Sequence, residues 1–173
     1  MSAPEFSRPE RIDTIGEPRT VTIEAGAQER AALAKRFDLV GIDRLAGEFA
    51  IRREASGIAV EGRVTAALTQ ACSVTGDPLP AKIDEPVALR FVAASDAAGD
   101  EVELGDADLD VVPYDGSAID LGEAAAETMA LALDPFPRGP GAEAALNAAG
   151  VISEDEARPL SALAGLKDKL AGR

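Results

Sequence analysis

LAGEFAIRREASGIAVEGRVTAALTQACSVTGDP, residues 45–78, carries two alternating runs joined by a turn. Leu45, Gly47, Phe49 and Ile51 share one parity against Glu48, Ala50 and Arg52. After a turn over Glu54 to Gly57 the alternation resumes, with Ile58, Val60, Gly62, Val64, Ala66 and Leu68 against Ala59, Glu61, Arg63, Thr65, Ala67 and Thr69. Successive strand side chains point to opposite faces, so this pattern predicts an antiparallel hairpin with one face buried. Gly62 falls on the buried parity, which predicts a bulge or a close backbone approach. Thr75-Gly76-Asp77-Pro78 then reads as a turn, and Val87, Leu89 and Phe91 as a third strand paired with the second.

Upstream, Thr20 to Glu24 gives a short strand signal with Val21 and Ile23 on one side. Gln28 to Phe37 is rich in strong helix formers, with Leu33 four residues before Phe37; its mixed Glu29, Arg30, Lys35 and Arg36 read as a salt-bridged solvent face. The first 19 residues hold three prolines and mixed charges, which predicts an extended arm of little intrinsic order. Downstream, residues 95–118 are acidic and interrupted by Pro113, with Leu109, Val111 and Val112 offering an edge strand. Asp120 stands where a helix N-cap is wanted, before Leu121 and with Glu123 in the first turn. Leu121, Ala125, Met129 and Ala132 make one stripe of that helix, with Glu123 and Glu127 opposite facing water, and Pro135 and Pro137 end it. After a Gly139-Pro140-Gly141 link and the Glu154, Asp155, Glu156 cluster, Leu160, Leu163, Leu166 and Leu170 give the terminal segment a docking face. The expected fold class is α+β: an antiparallel β-meander packed by a few helices, with an arm over 1–19. Residues 20–173 form a single domain that includes the acidic segment 95–118 and a C-terminal docking helix at 159–170.

Net charge is −14, and it is localised. Between Ser95 and Ala157 sixteen acids face the single Arg138, which leaves that segment at 1 − 16 = −15 and the rest of the chain near neutral. Such a field repels phosphate backbones and membrane surfaces and attracts cationic partners over about 8–10 Å in physiological salt. One cysteine, Cys72, excludes an intramolecular disulfide, and no stretch approaches the ~20 apolar residues of a membrane span. The N-terminus lacks the apolar run of a signal peptide, so the expected compartment is the reducing cytoplasm.

With no histidine in the chain, Ser-His-Asp and Cys-His catalysis and His-containing zinc sites are excluded in their usual form. Cys72, at an apolar strand end, reads as a packed thiol. Asp106, Asp108 and Asp110 begin like a calcium loop, but Val111 stands where Gly is needed and Ser117 where a bidentate Glu is needed. Glycine-rich phosphate motifs are absent, and the carboxylates lie in segments that read as exposed, where nothing raises a pKa for acid–base work. Aromatics, at 3%, are too few for a nucleic-acid stacking platform.

Three phrases in fixed order carry a resemblance: GRVTAALTQACSVTGDPLP at 62–80, IDLGEAAAETMALALDP at 119–135 and RPLSALAGLKDKL at 158–170. Together they resemble the YceD family of large ribosomal RNA subunit accumulation proteins, in the variant that reads T-Q-x-C-x-x-T. The family motif falls on Gln70, Cys72, Thr75, Pro78, Asp120 and Leu121. The resemblance implies a cytoplasmic, non-enzymatic ribosome biogenesis factor that supports large-subunit rRNA accumulation and works without a cofactor. Charge then points to a basic large-subunit ribosomal protein or pre-ribosomal particle as partner. It would be met by Asp106, Asp108, Asp110, Asp115, Glu154, Asp155 and Glu156. The alternatives are an RNA-contacting module using Arg52, Arg53, Arg63 and Arg90 on the exposed side of the sheet, and a small enzyme with a carboxylate site. Many relatives carry Cys-x-x-Cys, some with His and Cys further on; here Thr75 replaces the second cysteine and residues 134–138 offer no sulfur or imidazole. A single thiolate does not hold tetrahedral zinc, so no metal is assigned. Purified protein should accordingly show no stoichiometric zinc by elemental analysis and the same melting temperature with and without a chelator; one zinc per chain would overturn this.

Overall fold

The long alternating hairpin is the centre of the computed structural model, which describes residues 4–94 and 110–151. In chain order the elements are β1 (Pro9–Arg11), β2 (Arg19–Glu24), α1 (Ala27–Arg36), β3 (Gly41–Glu54), β4 (Gly57–Ala71) and β5 (Pro78–Ala93). They continue with β6 (Asp110–Tyr114), β7 (Ala118–Asp120), α2 (Leu121–Leu131) and α3 (Ala142–Ala148). Strands β2-β3-β4-β5-β6 form one sheet in sequence order, antiparallel through β5, with β6 parallel to β5. A second, two-stranded ribbon pairs β1 with β7. The α+β class and the antiparallel meander are as the sequence predicts. The fifth strand lies on the expected edge but runs parallel.

One parity of the sheet is buried. Leu45, Phe49 and Ile51 of β3, Ile58, Val60, Val64 and Leu68 of β4, and Ile83, Val87 and Phe91 of β5 form the core with Leu121, Ala125 and Met129 of α2. Leu33 of α1 is likewise fully buried. Burying each such side chain is worth about 1.5–3 kcal/mol. Gly62 pairs with Phe49, and a methyl group on it would collide with the Glu48 carbonyl. Of the two readings of Gly62, close approach is therefore correct; the ladder's irregularity falls between Ile42 and Arg44 instead. Three prolines, Pro78, Pro80 and Pro86, sit in β5, yet among the described residues β6 pairs only with Leu89–Ala93. The proline-bearing length of β5 is an edge there, where a missing N–H removes no ladder bond.

The N-terminal segment corrects an expectation. Residues 1–19 were expected to be an arm of little order, but Phe6 and Ile15 are 0% and 1% exposed, members of the same core. Their neighbours are pinned at long range. Pro9, Glu10 and Arg11 pair with Asp120, Ile119 and Ala118, and the Arg8 guanidinium grips Glu29 of α1 through two bonds of 2.7 and 2.9 Å. Arg8 also lies 4.6 Å from the centre of the Phe6 ring. Proline and mixed charge signal local disorder only when the charges lack distant partners, and here the partners are far off in sequence. For the same reason the charged face of α1 is spent mostly outside the helix. Arg36 holds Glu123 at 2.6 Å and Glu5 at 3.0 Å, so Glu123, expected to face water, is ion-paired. Residues 95–109 and the C-terminal docking helix expected at 159–170 lie outside the described residues.

Phe6→Ala should cost about 3–5 kcal/mol, the usual loss for a buried phenylalanine. Deleting residues 1–17 should lower the urea midpoint at least as much. An unchanged midpoint in either variant would show that the segment is peripheral.

Candidate functional site

The strand that carries the family motif ends in a tight knuckle. Past Ala71, the Cys72 amide donates to the Asp77 carbonyl at 2.8 Å and the Gly76 amide to the Cys72 carbonyl at 2.9 Å; Gly76 takes φ 77°, a conformation that favours glycine. Beyond α2 the chain is held against this knuckle by four hydrogen bonds. Gln70 Nε2 donates to the Asp134 carbonyl (2.9 Å), and both the amide and the Oγ of Ser73 donate to the Pro137 carbonyl (2.8 and 3.0 Å). The Gly139 amide donates to Cys72 Sγ at 3.4 Å. Pro135 and Pro137 end α2, as expected, and the extended run they impose presents those carbonyls.

Cys72 is buried, as its reading as a packed thiol requires, but its cover is thin. The Gly139 amide, then Thr75 and the Val74 amide, lower its pKa to about 6, while desolvation, which would raise it, is the smallest influence. The Thr75 hydroxyl has one proton and gives it to Asp77 Oδ2 at 2.6 Å, so the amides do most of the holding. Donors aimed at sulfur favour the thiolate. Among the described residues no group of three His, Cys, Asp or Glu is placed to hold a metal ion, and hydrogen bonds tie the knuckle to the 134–139 loop.

Asp120 and Leu121, the other motif residues, mark the far end of α2. The Asp120 carboxylate caps the helix through the amides of Gly122 (2.9 Å) and Glu123 (3.2 Å), as the sequence predicts. It also accepts the Arg8 amide at 2.8 Å and the Ser7 hydroxyl at 2.5 Å, which the sequence did not reveal. Leu121 is fully buried. These are structural duties.

The four arginines of the RNA alternative do not form one patch. Arg52, Arg63 and Arg90 lie on the outer parity of the sheet, but Arg53 takes the opposite parity. There its guanidinium donates to the carbonyls of Ile15 (3.1 Å) and Ile12, so it is a clamp on the N-terminal segment. Alternation alone could have separated Arg52 from Arg53. Arg52 is held by Glu54 and Glu61, each at 2.7 Å, and Arg63 pairs with Asp84. Arg90 makes no ion pair among the described residues, and its Nε is buried without a hydrogen-bond partner.

Of the acids expected to meet a partner, Asp110 and Asp115 are exposed and make no ion pair among the described residues. Both lie at the end of the sheet remote from Cys72, since β6 pairs with the last residues of β5. Asp106, Asp108, Glu154, Asp155 and Glu156 lie outside the described residues.

A groove of about 670 Å³ adjoins the knuckle, between the ends of α1, β4 and α2. Phe37, Leu39, Leu131, Leu133, Pro135 and Pro137 give it an apolar lining, with Asp38 and Asp134 also along it. Leu131 is 87% exposed and Phe136, in the adjoining loop, 72%. The sequence showed the proline stop but not this groove, because it is assembled from three separated segments.

A family model described as large ribosomal RNA subunit accumulation protein YceD matches residues 60–167, more than half of the chain. That span runs from β4 through the knuckle, α2 and α3. No curated protein and no solved structure matched.

The Cys72 thiol should titrate near pH 6 when followed by thiolate absorbance. Because the folded pKa is lowered, the thiolate's contribution to stability is complete above the unfolded pKa of about 8.5. It is lost as pH falls through about 6. The stability gap between the native chain and Cys72→Ala should therefore widen from pH 6 to 8.5. A titration in the ordinary thiol range would show that the Gly139 contact does not hold in solution.

Proposed function

The chain belongs to the YceD family, and from that premise we propose that it is a non-enzymatic ribosome biogenesis factor. It supports large-subunit rRNA accumulation by holding a basic large-subunit ribosomal protein on its acidic surface. The supporting observation is an asymmetry of pairing. On the outer face of the sheet Arg52 and Arg63 are paired with Glu54, Glu61 and Asp84, and Arg90, which makes no ion pair among the described residues, has its Nε buried, whereas Asp110 and Asp115 stand exposed and unpaired among the described residues. A paired arginine gives up its carboxylate before it can serve a phosphate, which at an exposed pair costs about 0–1 kcal/mol. An unpaired carboxylate needs only to shed water.

The charge budget of the chain agrees. Residues 95–157 carry −15, but Asp120 and Glu123 are consumed within the fold. Exposed acids remain at Asp110, Asp115, Glu127, Asp134 and Glu143 among the described residues. A field of this sign speeds encounter with a cationic protein and slows encounter with RNA. A basic ribosomal protein released from its synthesis is such a cation, and holding it would keep it available for assembly with rRNA.

Changing Asp106, Asp108, Asp110 and Asp115 together to Asn should leave the unfolding free energy within about 0.5 kcal/mol of the native value, the usual range for charge changes at exposed sites such as Asp110 and Asp115. It should weaken capture of basic ribosomal proteins in a tagged pull-down and lower the ratio of large- to small-subunit rRNA in cells that depend on this protein. Reversing Arg52 and Arg63 should do less. If the Asp set is silent while the Arg set abolishes rRNA accumulation and RNA co-purifies, the partner is RNA and this reading fails.

A further inference from the structure

We propose that the apolar groove beside Cys72 is the seat of the chain's own C-terminal segment, residues 158–170. The groove offers an apolar lining of the kind that monomers rarely leave bare, with Leu131 87% exposed at its wall. The segment offers the matching face: Leu160, Leu163, Leu166 and Leu170 fall within about 120° of one another at helical spacing.

The route fits. α3 begins three residues after Gly139, whose amide touches Cys72, so its first turn is beside the groove. With seven residues it is about 10 Å long. It ends where Gly150 takes φ 76° and the Val151 amide bonds the Leu146 carbonyl, an arrangement that takes the chain off the helix axis. Residues 152–159 span up to about 26 Å when extended, more than enough to return to the groove from the end of α3.

Charge selects this occupant over others. From Arg158 to Arg173 the segment has Arg158, Lys167, Lys169 and Arg173 against Asp168, a net of 4 − 1 = +3, and the groove's charged side chains are Asp38 and Asp134. A second copy of the chain arrives with a net charge of −14 and is repelled by the first. The segment is also tethered, which gives it an effective concentration in the millimolar range before any contact forms.

The test uses the full chain carrying Cys72→Ser, with Leu131→Cys paired with Leu163→Cys. Under mild oxidation this pair should close an intramolecular disulfide at least about tenfold faster than Thr22→Cys with Leu163→Cys, which places one thiol on the outer face, because seating raises the local concentration. A second measurement avoids the Cys72 change. In otherwise native protein, Leu163→Asp should speed amide exchange at Ala130–Leu133 by at least about tenfold if burial of the stripe protects them, and Ala50→Asp on the outer face should not. Equal disulfide rates, mainly interchain disulfides, or exchange unchanged by Leu163→Asp would each overturn the proposal. So would protection of the groove that appears only after a basic ribosomal protein is added, since the occupant would then be that partner.

Discussion

One carboxylate joins the N-terminal segment to the start of α2. Asp120 receives the first free amides of α2 and, with its remaining lone pairs, the Arg8 amide and the Ser7 hydroxyl. Asp120 is half-buried, and hydrogen bonds to a charged group are worth about 1.5–3 kcal/mol. Both partners therefore depend on it: without the cap, α2 starts poorly, and without the N-terminal segment, half of the carboxylate's acceptor capacity goes unused. The close passage of the Phe6 backbone over Gly122 fits the same constraint, since a side chain at that first turn would push the segment away.

What the sequence revealed follows from the range of the forces involved. The hairpin at residues 45–68 was legible because alternation is a local record of burial, and the Asp120 cap because a cap is a local bond. Helix α1 was placed within one residue at each end, at Ala27–Arg36 instead of Gln28–Phe37. The N-terminal segment was misread because Phe6 finds its core, and Arg8 its Glu29, only through contacts across the fold. Arg53 was grouped with Arg52 by charge, although neighbouring strand residues face opposite ways; the signal was present in the alternation. The parallel pairing of β6 with β5 left no local trace, since a strand as short as Asp110–Tyr114 reads alike in either direction.

At the knuckle Cys72 is tied to the loop that follows α2: the carbonyls of Asp134 and Pro137 accept from Gln70 and Ser73, and the Gly139 amide donates to Cys72 Sγ. These bonds depend on two prolines that cannot rejoin a helix, so the rigidity of the 134–139 loop comes from the backbone itself. On the outer face of the sheet Arg52 pairs with Glu54 and Glu61 and Arg63 with Asp84, each pair worth little in water, while Arg90 makes no ion pair among the described residues.

The bond between Ser7 and Asp120 spans 113 residues, which bears on the order in which the chain acquires its shape. Glu29 of α1 and Arg53 of β3 are near enough in sequence to meet the N-terminal segment early, but its pairing with β7 and its bonds to Asp120 wait on residues 118–120, whereas the meander of β2 to β5 closes through adjacent hairpins. Full cover of Phe6 and Ile15 therefore depends on closing the longest of these loops. The prolines and alternating charges around them, misleading as a sign of disorder in the finished fold, suit a segment that completes its pairing late, since proline lacks the N–H that a wrong strand ladder would need.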